Sequence, residues 1–202
     1  MTESGSGPQW GSVAAHASEP EFSEVYRSHY DFVWRCVRRL GVPASLVDDA
    51  TQEVFVIVHR RLSSYDPRTP MRGWLFGILR KVAASQRRRA KRVAPVPSSV
   101  RSSADSDPEA ALARREAADW VERFLATLDE EQRAVFVLAE CEGVPVVELA
   151  DTLGIKLNTA YSRLRLARRR FERALVRVQA RAQARARVRP VVQAPARSES
   201  SR

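Results

Sequence analysis

Apolar residues recur at steps of three and four along two long stretches of this chain, a spacing typical of helices that bury one face. The first stretch runs from Phe22 to Val82 and the second from Ala111 to Phe171. Residues 93–108 between them are rich in Pro, Ser and Ala and show no periodicity. The sequence has no alternating pattern typical of strands. We therefore predict an all-α fold, in which two small helical domains are joined by a flexible linker.

The same patterns predict the limits of the domains. The first domain takes residues 19–92, the linker residues 93–108 and the second domain residues 109–178. Residues 1–18 are rich in Ser, Gly and Ala and are expected to be a disordered tail. Residues 179–202 are rich in Arg, Ala and Gln and are expected to be a basic disordered tail, although their Ala-Arg stretch could instead extend the last helix.

Individual helix ends carry their own signals. Gly41, Gly143 and Gly154 follow apolar-periodic segments and predict that helices stop there. Helix starts are predicted at Ser45 with Asp48, at Thr69 with Pro70, at Asp129 with Gln132, and at Asn158.

The charge of the chain is large and unevenly distributed. The net charge is +10 and the isoelectric point is about 10.6. Residues 80–92, 156–177 and 179–202 carry +7, +7 and +5, which leaves −9 for the rest of the chain. The basic segments favour a polyanionic partner, either nucleic acid or a membrane surface. The acidic remainder predicts a second partner that is not anionic.

Nothing in the sequence indicates catalysis or a cofactor. No phosphate-binding loop, paired carboxylates or nucleophile with a base is present, and the histidines lack metal-ligand spacing, so we expect neither an enzyme nor a metal site. Cys36 and Cys141 are far apart in sequence and are expected to be free thiols in a reducing compartment. The sequence shows neither a membrane span nor a secretory signal, so we expect a cytoplasmic protein.

The segment 145–170 carries the most specific local pattern. A short helix meets a long one across a turn of about four residues. Ala150 supplies the small side chain needed where two helices cross closely, and Gly154 supplies the positive φ that ends the first helix. We predict a helix-turn-helix whose second helix enters the major groove of duplex DNA. The alternative is an ordinary basic amphipathic helix, which would not need the small residue, the glycine and the charges in one register.

Three groups of residues resemble the bacterial sigma factors of the sigma-70 family. Residues 48–55 (DDATQEVF) resemble the signature of the second region of that family, and Trp74-Leu75 with Ile78 and Arg80 resembles its promoter −10 segment. The fourth region is resembled by Leu128-Asp129, Glu148-Leu149-Ala150, Leu153-Gly154, Thr159 and Ser162-Arg163-Leu164. The resemblance spans residues 22–175. Because only these two regions are present, the resemblance is to the extracytoplasmic-function group of the family.

The resemblance implies that the second helix binds core RNA polymerase. Asp49, Gln52 and Glu53 share one face of this helix at spacings i, i+3 and i+4. This acidic face lies in the part of the chain outside the three basic segments, whose net charge is −9. The alternative to polymerase binding is that these three residues form an ordinary solvated helix face, which is the usual role of an isolated acidic trio. The family also implies promoter DNA as a partner and an anti-sigma factor as a further one.

The resemblance further implies two sets of DNA contacts. Contacts to the −10 element are expected from Tyr65, Trp74, Arg80, Lys81, Arg87 and Arg88. Trp74 lies on the apolar stripe, so core packing is favoured over base stacking for its ring. Contacts to the −35 element are expected from Asn158, Thr159, Tyr161, Ser162, Arg163, Arg165, Arg168 and Arg169. Lys81 and Tyr161 depart from the residues common in the family, so the promoter sequence does not transfer.

Two other functions fit part of the pattern. A free-standing helix-turn-helix regulator would use the second domain alone, and a basic interaction protein would use its tail to bind nucleic acid or acidic partners without specificity. The acidic face at Asp49, Gln52 and Glu53 favours the polymerase subunit, because a regulator that acts alone has no use for it.

Overall fold

The computed structural model describes residues 21–92 and 108–188, and this part of the chain contains helices and no strand. The all-α prediction is therefore confirmed for it. In the first half, α1 spans Phe22–Arg39, α2 Val47–Arg61 and α3 Met71–Ala90, with short 3-10 turns at Ala44–Leu46 and Leu62–Ser64. In the second half, α4 spans Pro108–Ala126, α5 Glu130–Phe136, α6 Val146–Leu153 and α7 Leu157–Val188. A π-helical turn, Val137–Cys141, follows α5.

The apolar stripes form the core as their spacing predicts. In the first half, Val33, Val54 and Leu79 come from three different helices and are wholly buried. In the second half, an aromatic cluster holds α4, α5 and α7 together. Phe124 lies at its centre, with ring centroids 5.4 Å from Phe136 and 5.1 Å from Phe171, both in edge-to-face geometry. Such aromatic pairs add to the stabilisation gained by burying the rings.

The helix ends show which local signals prevailed. Gly41, Gly143 and Gly154 all adopt positive φ, so the three predicted stops are confirmed. The predicted start at Asp129 is also confirmed, since its Oδ1 accepts the backbone N–H of Gln132 at 2.7 Å.

Three predicted helix starts are wrong. Ser45 makes no capping bond because the chain enters α2 through a 3-10 turn after Pro43, and the carboxylate of Asp48 accepts Trp34 Nε1 at 2.9 Å instead. Pro70, with ψ 127°, is itself the residue before α3, so Thr69 lies outside the helix. Asn158 lies inside the first turn of α7, where the carbonyl of Lys156 accepts the first helical N–H groups.

The tails and the linker are only partly described. Residues 1–18 and 93–107, expected to be a disordered tail and a flexible linker, lie outside the described residues. The last residue of the expected linker, Pro108, already begins α4. In the C-terminal segment, α7 continues to Val188, so the expectation of disorder is wrong for residues 179–188 and the helical alternative holds there. The rest of that segment lies outside the described residues.

The two halves contact each other through their helices. α3 packs against α6, and a Cβ on Gly73 would lie 2.6 Å from Thr152 Oγ1, so glycine permits this close approach. Arg133, on α5, donates to the carbonyl of Leu40 at the end of α1 at 3.1 Å. An ion pair joins Arg38 of α1 to Glu122 of α4 across the same boundary. Buried apolar residues from both halves form one continuous cluster.

Candidate functional site

The acidic face of α2 is accessible at two of its three predicted positions. Asp49 and Gln52 are exposed, whereas Glu53 is half-buried and accepts a hydrogen bond from Gln86 Nε2 of α3 at 2.6 Å. Val56, one turn beyond Gln52, is 49% exposed on the same side of the helix. The structure thus offers an acidic patch bordered by an exposed aliphatic side chain. The i+4 spacing from Gln52 to Val56 was the signal that sequence reasoning missed.

Tyr65 and Trp74 meet at the start of α3. Their ring centroids lie 5.1 Å apart, and the Tyr65 hydroxyl donates to the carbonyl of Thr69 at 2.5 Å. Burial, and secondarily the charge of Asp66, raises the pKa of the Tyr65 phenol. Trp74 is half-buried and packs against the hydrophobic core, which agrees with its place on the apolar stripe.

A cavity of about 480 Å³ lies beside Trp74, between the first half of the chain and the end of α6. Arg61, Arg80 and Lys81 contribute positive charge to its lining, and Asp151 contributes negative charge from α6. Arg61 was absent from the predicted −10 set, although its place in the last turn of α2, just before the Tyr65 loop, puts it near Trp74. Because α6 forms one wall, a ligand at this surface meets both halves of the chain.

Arg87 and Arg88 do not line the cavity beside Trp74. Arg87 faces the end of α1, where Nη1 donates to the carbonyl of Leu40 at 2.5 Å and Nη2 lies 2.7 Å from Glu130 Oε2. Its side chain is therefore occupied between the two halves. Arg88 is exposed farther along α3 and does not line the cavity.

The helix-turn-helix is built from α6 and α7. Gly154 has φ +64°, and after it the backbone N–H of Ile155 donates to the carbonyl of Ala150 at 3.0 Å, which closes the turn. Leu149 and Ala150 on α6 and Ala160, Leu164 and Ala167 on α7 are all buried between the two helices and α5. The inner face of the first turns of α7 is therefore packed against α5 and α6, which leaves the outer face to contact a ligand.

That outer face presents most of the predicted −35 residues. Asn158, Tyr161, Ser162, Arg165 and Arg169 are exposed, and the Tyr161 ring keeps 52% of its surface accessible. Thr159 is half-buried at the edge of this face. Two flanking arginines are tied to segments before α6. Arg163 forms an ion pair with Glu131 of α5, and Arg168 Nε donates to Glu140 Oε1 of the π-helical turn at 2.8 Å.

A nearly buried carboxylate joins the two halves. The Glu142 side chain is 3% exposed and forms ion pairs with Arg39 and, at 3.2 Å, with Arg35 on α1. The thiols of Cys36 and Cys141 lie beside this group. Both cysteines are free, and burial raises the pKa of each thiol. Raised pKa values leave both sulfurs protonated and weakly reactive at neutral pH.

Within residues 21–92 and 108–188, no group of His, Cys, Asp and Glu side chains is placed to hold a metal ion. Over the same residues, no helix has the length and apolar character needed to cross a membrane.

Both halves match family models. Residues 25–93 match the model described as Sigma-70 region 2, and residues 118–171 match Sigma-70, region 4. The two matches fall in the same order as the two helical halves and include the acidic face of α2 and the helix-turn-helix.

Individual proteins show the same similarity. The chain is 32% identical over 162 residues to the ECF RNA polymerase sigma factor SigL of Mycobacterium tuberculosis, which covers 77% of this chain and 89% of SigL. It is 32% identical over 156 residues to the ECF RNA polymerase sigma factor SigE of Mycolicibacterium smegmatis, covering 75% of this chain but only 60% of SigE. The structure of CnrH in complex with the cytosolic domain of CnrY resembles it with a TM-score of 0.59 at 28% identity, covering 76% of this chain and 86% of CnrH.

Proposed function

Since the chain belongs to the extracytoplasmic-function group of sigma-70 factors, we propose that it binds core RNA polymerase and directs transcription from promoters with its own −10 and −35 elements. The observation that carries this proposal is the match of both sigma-70 regions, in order, to residues 25–93 and 118–171. A free-standing regulator would need the second half alone.

Polymerase docking is assigned to the exposed part of the α2 face. Asp49 and Gln52 offer a carboxylate and an amide to a partner, and Val56 offers an apolar contact beside them. A small apolar contact bordered by polar groups is the usual composition of a protein interface. Glu53 contributes at the edge of this patch, where its bond to Gln86 also orients it.

The surface around Trp74 is assigned to the −10 element. Arg61, Arg80 and Lys81 supply charge for the DNA backbone, while Trp74 supplies ring surface at the cavity and Tyr65 packs against the Trp74 ring. α6 covers one side of this cavity. Opened DNA bound in this cavity would therefore also contact the end of α6.

The −35 element is assigned to the outer face of α7. Asn158, Tyr161 and Ser162 lie in its first turns, where a recognition helix contacts base edges, and Arg165 and Arg169 follow on the same face. Arg163 and Arg168 serve phosphates on the flanks once their ion pairs with Glu131 and Glu140 are exchanged for DNA.

The remaining assignments follow from the family. The chain contributes no catalysis of its own, since polymerase performs the synthesis, and it acts in the cytoplasm where polymerase works. An anti-sigma factor is a further proposed partner, in keeping with the likeness to CnrH, whose structure holds the cytosolic domain of CnrY.

Run-off transcription with core polymerase on a genomic promoter library tests the proposal. The full chain is compared with Asp49→Lys/Gln52→Lys, which adds three positive charges to the α2 patch without touching the Glu53–Gln86 bond. Glu24→Lys/Ser28→Lys is the matched control, because it adds the same charge to exposed positions one turn apart on α1. We expect the α2 variant to lose core binding and transcription while it still binds a −35 duplex, and the control to keep all three. Normal transcription by the α2 variant would reject the docking assignment. Duplex binding by the wild-type chain without core-dependent transcription would instead support a regulator that acts alone.

A further inference from the structure

A groove of about 940 Å³ lies between α4 and the C-terminal half of α7, away from the surfaces assigned above. Phe124, which is buried, and Trp120, which is half-buried, form its floor. None of the exposed recognition residues Asn158, Tyr161 and Arg165 lines it. The match to Sigma-70, region 4 ends at residue 171, so most of the α7 wall belongs to the helical extension beyond the matched domain.

The rim of the groove is strongly basic. Its lining contains one acidic side chain, Glu116, against the guanidinium groups of Arg123, Arg170, Arg173, Arg177 and Arg181. Arg173, Arg177 and Arg181 follow at four-residue steps, so they lie along one side of α7. Among the described residues, no carboxylate forms an ion pair with these three arginines, unlike Arg163 and Arg168 earlier in the same helix.

The groove also borders apolar surface that nothing in the described chain covers. Val178 lines it and is 38% exposed. On α4, Leu112 is 57% exposed. A groove between two helices with apolar side chains on its floor and wall is the kind of surface into which an amphipathic helix packs.

We propose that this groove is the docking site for an acidic amphipathic helix of a partner protein. The apolar face of that helix fills the space over Trp120 and Phe124, and its carboxylates pair with Arg173, Arg177 and Arg181. From Arg170 to Ala182 the α7 wall is about 18 Å long, so a helix of about 12 residues occupies it. Nucleic acid fits less well, because phosphates satisfy the arginines but bring no apolar group to the floor.

Synthetic peptides and the full chain test this proposal by fluorescence anisotropy. The probe is a labelled helical peptide of about four turns, made of Glu and Leu, with its leucines at i, i+3, i+4 and i+7. A second peptide has the same composition, but its leucines are dispersed around the helix. Arg177→Glu reverses one rim charge, and Arg115→Glu is the matched control because it makes the same change at an exposed α4 residue outside the groove lining.

We expect the amphipathic peptide to bind at least about tenfold more tightly than the dispersed one, since only the former has a face that fills the floor. Arg177→Glu should weaken its binding about tenfold through like-charge repulsion, with Arg181→Glu behaving alike and Arg115→Glu staying within about twofold. Equal binding of both peptides, or equal losses in Arg177→Glu and Arg115→Glu, would overturn the proposal in favour of plain electrostatic attraction. Displacement of the peptide by a duplex without promoter elements, with the same Arg177 dependence, would overturn it in favour of nucleic acid.

Discussion

Replacing Glu142 by Gln is expected to loosen the contact between the two halves of the chain. The carboxylate is almost fully enclosed and bridges Arg35 and Arg39 on α1, whereas glutamine keeps the shape and one acceptor oxygen but loses the charge. Removing one partner of a buried ion pair is costly because the remaining charges stay behind.

The size of the effect follows from the geometry. Two unit charges about 4 Å apart attract by about 4 kcal/mol at an effective dielectric constant of about 20. The cost of desolvating Glu142 offsets several kcal/mol of this attraction. The side chains of Arg35 and Arg39 are 42% and 29% exposed, so water screens them and solvates them once the carboxylate is gone. We therefore expect Glu142→Gln to lower the free energy of unfolding by about 2 kcal/mol.

Thermal unfolding and small-angle scattering of the full chain measure this change. About 2 kcal/mol corresponds to a fall in melting temperature of about 4–8 °C for a chain of this length. The radius of gyration should rise as the halves separate.

Glu140→Gln is the matched control for this experiment. Glu140 lies two residues away, and its ion pair is with Arg168 of the same half, where both side chains are partly exposed. Its loss should change the stability by less than about 1 kcal/mol and leave the radius of gyration unchanged. If the two variants have the same melting temperature and the same radius of gyration, Glu142 does not hold the halves together.

Three further outcomes are expected. Arg165→Ala should change the preferred base at one position of the −35 duplex, with discrimination falling by about 1–3 kcal/mol, and a uniform loss over all duplexes would show a phosphate contact instead. Burial, and secondarily the charge of Arg72, lowers the pKa of His29 from 6.5, so the folded chain favours the neutral imidazole. The contribution of neutral His29 to stability is complete above about pH 6.5 and is lost as the pH falls below that value. The free energy of unfolding, measured by urea titration, should therefore fall less steeply with decreasing pH in His29→Gln than in the wild-type chain. Equal slopes would refute this. Asp129→Ala should lower the free energy of unfolding by about 1 kcal/mol, because it removes the acceptor for the backbone N–H of Gln132, and an unchanged urea midpoint would contradict that role.

The apolar spacing and the glycines were sufficient to predict the helical architecture. Each of these signals acts over one or two turns of chain, so it is readable without knowing the fold. Gly154 shows this well, since the need for positive φ at the end of α6 follows from the residues immediately around it. The helix starts were less reliable, because at Ser45 and Thr69 a neighbouring proline changed the backbone entry.

By itself, the sequence determined the helices, the order of the two halves and the residue types on the exposed faces of α2 and α7. Only the tertiary structure decided which charged side chains remain available. It places Arg87 between the halves rather than beside Trp74, ties Glu53 to Gln86, and brings Glu142 to arginines 103 and 107 residues earlier in the chain. The physical reason is that an ion pair depends on the distance between side chains in space. Sequence spacing specifies that distance within a helix but not between helices that meet only after the chain has folded.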